Sequence, residues 1–410
     1  MSDFYQNGSI ATLHNLGQRT IEDLEQELVK FSEHKPMGLV LPSLYSELQT
    51  DALEGIVQHL KDVPYLEQII IGLDRANVDE YKHALQYFGR LPQDHRVLWN
   101  DGPRLREIDD TLNALNLAPA EPGKGRNVWF CFGYALACNR SKAIALHDCD
   151  VKTYDRSMLA RLIYPIANPN FNYEFSKGYY SRVADHKLNG RVCRLLVTPL
   201  IRALKKVCKG HEEFLDYLDS FRYPLAGEFA MSAQVLNDIR IPSDWGLEIG
   251  VLSEMKRNYN VNHICQVDVA DIYDHKHQDL SAEDKEKGLS KMSIDISKSL
   301  YRKLAIEGQV FSPETFRTLK ATYYRIALDM VKRYSADAAL NGLQYDNHRE
   351  GSSVEMFADN IMDAGQAFME NTTETPFMPS WNRVISACPD ILTRLKTAVE
   401  EDTKEFLSTH

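Results

Sequence analysis

The sequence predicts an α/β fold, in which helices flank a mainly parallel central sheet and a helical C-terminal region follows. Three observations carry this. Between about residues 36 and 281, short apolar runs alternate with segments of helical periodicity. The runs Ile69-Ile70-Ile71 and Ala143-Ile144-Ala145-Leu146 are continuous rather than alternating, as in strands covered on both faces. Beyond about residue 281 the strand signal fades and helical periodicity alone continues.

The elements follow in order. Residues 1–35 read as a polar lead-in and one helix. Thr20 caps it, Glu22, Asp23 and Glu25 occupy the first turns, where the helix dipole favours acids, and Leu24, Leu28 and Phe31 share a face. Met37 to Pro42 is a strand broken by its proline, Leu53 to Leu60 a helix, Leu66 to Leu73 a strand, Val78 to Phe88 a helix and Arg96 to Trp99 a short strand. Gly123-Lys124-Gly125 opens a helix running to about Asn139, and Lys142 to Leu146 is the next strand. This βαβ rhythm implies right-handed crossovers, and in such sheets ligands bind beyond the carboxyl ends of the strands. An aromatic and basic stretch, Phe175 to Arg182, precedes Asn189-Gly190-Arg191-Val192. Trp245 to Gly250 opens a helix, and His263 to Val269 reads as a strand. Ser281 to Lys287 begins a charged helix, and 313–340, 353–370 and 388–408 have helical periodicity. The expected organisation is a lead-in over 1–35, a catalytic domain over 36–285 and a helical appendage over 286–410.

Composition narrows the function. The chain has 410 residues, 44% of them hydrophobic and 26% charged, which suits a folded enzyme. Its net charge of -11, with no long basic run, argues against nucleic acid as a partner, since a phosphate backbone demands a basic footprint. No segment has the sustained apolar length of a membrane span. The seven cysteines form no Cys-x-x-Cys pair, which argues against a thiolate zinc site. No signal peptide is recognised, so they are expected to be reduced thiols in the cytoplasm.

The richest stretch is Leu146-His147-Asp148-Cys149-Asp150, an apolar strand ending in two acids two residues apart. Residues i and i+2 share one face of a strand, so the two carboxylates converge and Cys149 points away as a buried spacer. Such a pair can grip one divalent cation. Mg²⁺ takes few protein carboxylates and completes its shell with phosphate oxygens and water. Four other segments bear on this pair. Pro42 to Glu47 offers polar groups at a strand exit, suited to a nucleoside or to an ordinary turn. In Gly123-Lys124-Gly125-Arg126 the glycines allow close approach of a ligand, and Lys124 at a helix N-terminus suits a pyrophosphate. The segment is not a Walker A loop, and a surface turn is the alternative. Glu248 is a lone acid among apolar residues, either paired inside the protein or exposed at a helix start. His275 and His277 each offer an imidazole ligand after a strand.

In sequence, the strand–proline loop, Gly-Lys-Gly, Asp-x-Asp, Gly190-Arg191-Val192, Gly227-Glu228-Phe229-Ala230, Gly246-Leu247-Glu248-Ile249-Gly250 and His275 resemble the glucosyl-3-phosphoglycerate synthases. These are retaining glycosyltransferases of the Rossmann-like GT-A fold, and the resemblance spans roughly residues 36–281. It implies transfer of glucose from a nucleoside-diphosphate-glucose to the 2-hydroxyl of D-3-phosphoglycerate. It further implies Mg²⁺, Mn²⁺ or Co²⁺ as cofactor, and a homodimer. Position by position, Asp150 and His275 match the metal ligands, with His277 as the alternative to His275. Asp148 matches the acid on the ribose side, and Pro42, Leu44, Glu47, Lys124 and Cys149 complete the donor site. Glu248 matches the acid near the transferred sugar and, with Asp150, the catalytic pair. Gly190, Arg191, Val192 and Cys193 match the acceptor loop, with Arg191 suited to the phosphoglycerate anion. The sequence departs from the family pattern at Cys193, where threonine is usual, and at Leu44-Tyr45-Ser46, where Leu-Asn-Glu is usual. Competing expectations are a mannosyl-3-phosphoglycerate or mannosylglycerate synthase, a phosphatase of the haloacid-dehalogenase type, which also uses Asp-x-Asp, and a non-catalytic sugar-nucleotide-binding protein.

Overall fold

The computed structural model describes residues 6, 8–118, 122–275, 288–371 and 378–407. His277 and the charged helix start at 281–287 lie outside them. The strands are β1 (Ala11–Leu13), β2 (Met37–Leu44), β3 (Leu66–Asp74), β4 (His95–Trp99), β5 (Ala143–Leu146), β6 (Phe175–Tyr180), the hairpin β7 (Val183–Ala184) and β8 (Lys187–Leu188), β9 (Phe229–Ser232) and β10 (Ile264–Ala270). Eight of them form one sheet in the order β1-β10-β6-β9-β5-β2-β3-β4. All neighbours are parallel except that β9 runs antiparallel to both β5 and β6. The carboxyl ends of β2, β5, β6 and β10 therefore open on one edge, and the amino end of β9 arrives at that same edge.

The apolar runs are buried on both faces, as their continuity predicts. Leu39, Leu41, Ile69 and Ile71 face one core layer, with helices α1 (Ile21–Ser32), α2 (Asp51–Lys61), α3 (Val78–Phe88) and, later in the chain, the helix Arg156–Ala167. Val40, Ile70, Leu98 and Ile144 face the other. That layer is closed by α4 (Pro103–Ala114), α5 (Lys124–Cys138) and the helices that follow β6. Pro42 does not stop β2, which continues to Leu44. The β5 ladder ends at Val40–Leu146, so Pro42 lies beyond the last pairing on that side, where a missing N–H costs little. The N-terminal 35 residues are more than a lead-in. Ala11–Leu13 adds the edge strand beside β10, a segment too short to show periodicity.

The C-terminal region is helical but not set apart. With Arg156–Ala167 as α6, the remaining helices are α7 (Thr198–Val207), α8 (Glu212–Asp219), α9 (Val235–Asp238), α10 (Leu247–Asn258), α11 (Gly288–Ile306), α12 (Pro313–Leu340), α13 (Asn347–Glu370), α14 (Trp381–Ala387) and α15 (Ile391–Leu407). Residues of α11 to α15 share one continuous core with α5, α7 and α10. Trp381 stacks on Trp129 of α5 with ring centroids 4.1 Å apart. The Trp129 indole N–H donates to Pro379 O (2.9 Å), and that of Trp381 donates to Trp129 O (3.1 Å). Phe406 packs edge-on against Tyr81 and Trp99, and Arg104 of α4 binds Glu401, Asp402 and Glu405. Helical periodicity reveals that an apolar face exists but not what it covers. Among the described residues no helix is long and apolar enough to cross a membrane.

His147, just past β5, is fully buried beside the Tyr154 ring, and neither ring nitrogen has a hydrogen-bond partner among the described residues. Burial pushes its pKa down to about 4.

Two outcomes are expected. Trp381→Ala should lower the unfolding free energy in urea by about 3 kcal/mol or more, because it empties a stacked, fully buried site. For His147, the folded value lies below the ordinary one, so the unfolded chain takes the proton first on acidification. Its contribution is intact above the ordinary histidine value and is lost as pH falls from about 6.5 towards 4, by roughly 3 kcal/mol in all. Melting curves of His147→Leu should therefore fall less steeply over that range than those of the parent protein.

Candidate active site

Three chain segments meet at the carboxyl edge of the sheet. Lys124, the first residue of α5, places its ammonium 2.7 Å from Asp148 and 3.1 Å from Glu248. Glu248 lies in the first turn of α10 and Asp148 in the exit from β5. The glycines around Lys124 explain how α5 and α10 come together. A Cβ on Gly125 would lie 1.9 Å from Pro242 O, and one on Gly250 would lie 2.3 Å from Pro242 Cδ. The first turns of both helices thus close on Pro242, and the close approach expected for a ligand at Gly125 is made instead by the chain itself. Burial lowers the Lys124 pKa, but Asp148 and Glu248 more than reverse this and keep the ammonium charged. Burial also pushes the Asp148 carboxyl up to about 6, with Lys124 opposing and Glu228 and Asp150 adding to the rise.

Asp150 faces His275 rather than Lys124. The segment after β10 folds back along the exit of β5. Val151 and His275 form an antiparallel bridge, the Lys152 amide donates to Asp274 O (2.8 Å), and the Asp274 amide donates to Thr153 Oγ1 (3.0 Å). Asp150 Oδ1 and His275 Nδ1 are 3.6 Å apart, and both are buried without a hydrogen-bond partner. That separation is long for a hydrogen bond. It is short enough for one cation to bridge, since Mg²⁺ binds oxygen at about 2.1 Å. The donor set, one carboxylate and one imidazole, suits Mn²⁺ or Mg²⁺ with its other positions left to a ligand.

Residues not singled out individually from the sequence surround these two pairs. Glu228, fully buried just before β9, accepts hydrogen bonds from Tyr180 Oη (2.8 Å) and Tyr273 Oη (2.6 Å). The two tyrosine rings stack at 3.7 Å. Gly227 admits Asp148: a Cβ there would lie 2.2 Å from its Oδ2. Lys177 on β6 is buried, donates to Ala226 O (2.5 Å), and has its pKa lowered by burial to about 8. In the sequence Glu228 appeared only as part of the motif Gly227-Glu228-Phe229-Ala230, with no role given to it, and Lys177 only as a lysine within the aromatic stretch at 175–182.

The proposed donor residues divide. Pro42 and Leu44 line the end of β2, and Glu47 sits in the 3₁₀ turn Tyr45–Gln49. Glu47 Oε2 accepts from the Leu44 amide (3.0 Å) and Ser43 Oγ (3.2 Å). Burial, with the Asp150 and Asp148 charges adding to it, pushes its carboxyl up to about 7. The Cys149 thiol is buried in the core, so only its backbone is on the side of the two acids.

In the segment expected to hold the acceptor, Arg191 Nε and Nη2 donate to Glu350 Oε1 of α13 (2.9 and 2.8 Å), and Arg194 donates to Glu350 Oε2 (3.0 Å). Arg194 also donates to the carbonyls of Asn189 and Leu188, fixing the chain just before Gly190. The side chains of Val192 and Cys193 are buried, at the start of the π-helical turn Val192–Val197. The missing threonine hydroxyl at 193 therefore falls on an inward-facing position. Gly190 approaches the main cleft through Tyr223, whose ring lies 5.0 Å from that of Tyr180.

The chain matches no protein-family model. Similar curated proteins do exist. A glucosyl-3-phosphoglycerate synthase of Persephonella marina is 46% identical over 405 residues, covering 99% of this chain and 100% of that protein. One of Methanococcoides burtonii is 38% identical, covering 98% and 99%. Among solved structures, the glucosyl-3-phosphoglycerate synthase of Mycobacterium tuberculosis in complex with Mn²⁺, UDP-glucose and phosphoglyceric acid shares the fold. It has a TM-score of 0.52 and 21% identity, covering 72% of this chain and 87% of that one. Full-length identity to the two curated relatives, joined to a mainly parallel sheet that brings Lys124, Asp148, Asp150, Glu248 and His275 to one edge, shows that this chain belongs to the glucosyl-3-phosphoglycerate synthases.

Proposed function

We propose that this protein transfers glucose from a nucleoside-diphosphate-glucose to the 2-hydroxyl of D-3-phosphoglycerate with retention of the α-configuration. The observation that carries the reading is the pair of unpartnered buried donors, Asp150 Oδ1 and His275 Nδ1, beside the Lys124–Asp148–Glu248 cluster. Relatives bearing the same name are similar over the full chain. The structures from M. tuberculosis, in complex with Mn²⁺ or Mg²⁺ and with UDP or UDP-glucose, support a nucleotide sugar and a divalent cation as ligands here.

Asp150 and His275 would hold the cation, which supplies charge stabilisation for the departing diphosphate. The protein groups do the rest. Lys124 is positioned to turn from Asp148 to the pyrophosphate as the donor enters, and Asp148 is then free for the ribose. The end of β2 and the turn at Glu47 line the nucleoside. Glu248, at a helix N-terminus and oriented by Lys124, holds a sugar hydroxyl rather than acting as a nucleophile. The leaving phosphate takes the proton of the acceptor hydroxyl on the face it vacates, so no protein base is needed. Gly190 and Arg191 hold the acceptor. The seven free thiols accord with a cytoplasmic location, and a homodimer, testable by sedimentation, belongs to the same reading.

A product assay with UDP-, GDP- and ADP-glucose and GDP-mannose, against 3-phosphoglycerate and glycerate and with or without Mn²⁺, tests this directly. Metal-dependent formation of glucosyl-3-phosphoglycerate is expected. Preferential use of the mannosyl donor, or of glycerate, would redirect the assignment. Asp150→Ala should abolish both transfer and metal-dependent nucleotide binding while leaving the melting temperature within a few degrees. Lys124→Met should lower kcat by about 10²–10³-fold, the usual cost of losing one preorganised group at a developing negative charge.

A further inference from the structure

Arg182 follows β6 and opens the β7–β8 hairpin, which returns the chain to Gly190. Its carbonyl accepts from the Asn189 amide (2.7 Å), and its Cβ would lie 3.5 Å from a Cβ on Gly190. The guanidinium donates only weakly, to Tyr223 Oη at 3.5 Å, and its Nε is buried with no partner. The nearest ionisable groups are the hydroxyls of Tyr223, Tyr180 and Tyr273 and the Cys193 thiol, and among the described residues no carboxylate lies within salt-bridge distance of the guanidinium. The other two arginines of this region differ, because Arg191 and Arg194 share the carboxylate of Glu350. Arg182 is thus a largely buried cation with no matching anion among the described residues. Such a charge is costly unless a ligand matches it.

Its place specifies the ligand group. Tyr223 packs on Tyr180, Tyr180 and Tyr273 bind Glu228, and Tyr273 lies 5.6 Å from the His275 ring. Arg182 therefore stands between the acceptor loop and the Asp150–His275 pair, whereas Arg191 is turned to α13. In phosphoglycerate the carboxylate sits on the carbon that bears the reacting hydroxyl, and the phosphate is one carbon further away. We infer that Arg182 is an acceptor-binding residue that takes the carboxylate of the acceptor, leaving the phosphate to Arg191. A guanidinium presents parallel donors matched to a carboxylate, and its buried Nε is the donor left without a partner.

The inference rests on the acceptor proposed above. It is tested with Arg182→Met and Arg182→Lys, using 3-phosphoglycerate, glycerate (no phosphate) and glycerol 3-phosphate (no carboxylate). Arg182→Met should raise the KM for 3-phosphoglycerate by about 30-fold, as expected for a charge-assisted contact, with Arg182→Lys in between. The Ki of glycerol 3-phosphate and Mn²⁺-dependent binding of UDP should stay as in the parent protein, which a merely structural role for Arg182 would not allow. An unchanged KM, or an equal weakening of glycerol 3-phosphate, would overturn the assignment. If the parent protein transfers no sugar to phosphoglycerate, the proposed function fails. Calorimetric binding of phosphoglycerate and glycerol 3-phosphate to parent and variants then still decides the role of Arg182, by the same contrast.

Discussion

The arrangement turns on an imbalance of buried charge at the carboxyl edge of the sheet. Glu47, Asp148, Asp150, Glu228 and Glu248 converge there, against the two ammonium groups of Lys124 and Lys177. Carboxylates out of water are costly unless paired, and like charges raise one another. The elevated values of Glu47 and Asp148 are the visible result. Each acid is contained differently: Glu228 by two tyrosine hydroxyls, Glu47 by the turn it caps, Asp148 and Glu248 by one lysine. Asp150 alone faces an imidazole, that of His275. A pyrophosphate entering such a cleft would be repelled, so in the proposed function a divalent cation is an electrostatic requirement before it is a catalytic one.

The two acids of the Asp-x-Asp pair share a spacing but not an environment. Strand geometry sends both to one side and Cys149 to the core, and then tertiary partners separate them. Asp148 receives a lysine from α5, and Asp150 a histidine from the segment that folds back after β10. A phosphatase using the same triplet needs its first acid free to attack phosphorus. Here that acid is tied to Lys124 and pressed by Glu228 and Asp150, while the second has the unpartnered oxygen. The local chemistry thus agrees with the relatives on a transferase.

Much of this was legible in the chain. Strands covered on both faces announce themselves as unbroken apolar runs, and the predicted helices Val78–Phe88 and 313–340 coincide with those observed. Lys124, Asp148, Asp150, Glu248 and His275 stand out in the sequence because each falls at an element end, where pattern changes mark position, and the fold brings them to one edge of the sheet. The partners of several residues have no such mark. Glu228 meets Tyr180 and Tyr273 from 48 and 45 residues away, and Arg191 meets Glu350 across 159, so no spacing encodes those contacts. β1 is three residues long, too short for any period to show. The glycines at 123 and 125 do mark close approach, and the chain they admit is that of Pro242 and Ser243, which the sequence did not indicate.

The C-terminal helices then take on a meaning that helical periodicity could not give. One buried carboxylate, Glu350 on α13, serves two arginines of the segment that follows Gly190. The loop before α13 pairs with the β7–β8 hairpin, where Gln344 N donates to His186 O (2.7 Å), and Tyr323 of α12 donates to Leu195 O within the π-helical turn. A carboxylate shared by two guanidiniums leaves an uncompensated positive charge beside the loop. Arg182, beside Gly190, adds a second. In the proposed function the region assigned to the acceptor therefore carries excess positive charge and the edge assigned to the metal excess negative charge, with the stacked Tyr180 and Tyr273 between Tyr223 and His275. A substrate pair in which the donor brings its own cation and the acceptor is a bare anion matches that division. In the proposed function α13 belongs to the site as much as the sheet does, because its Glu350 supplies the counter-charge that fixes where Arg191 and Arg194 point.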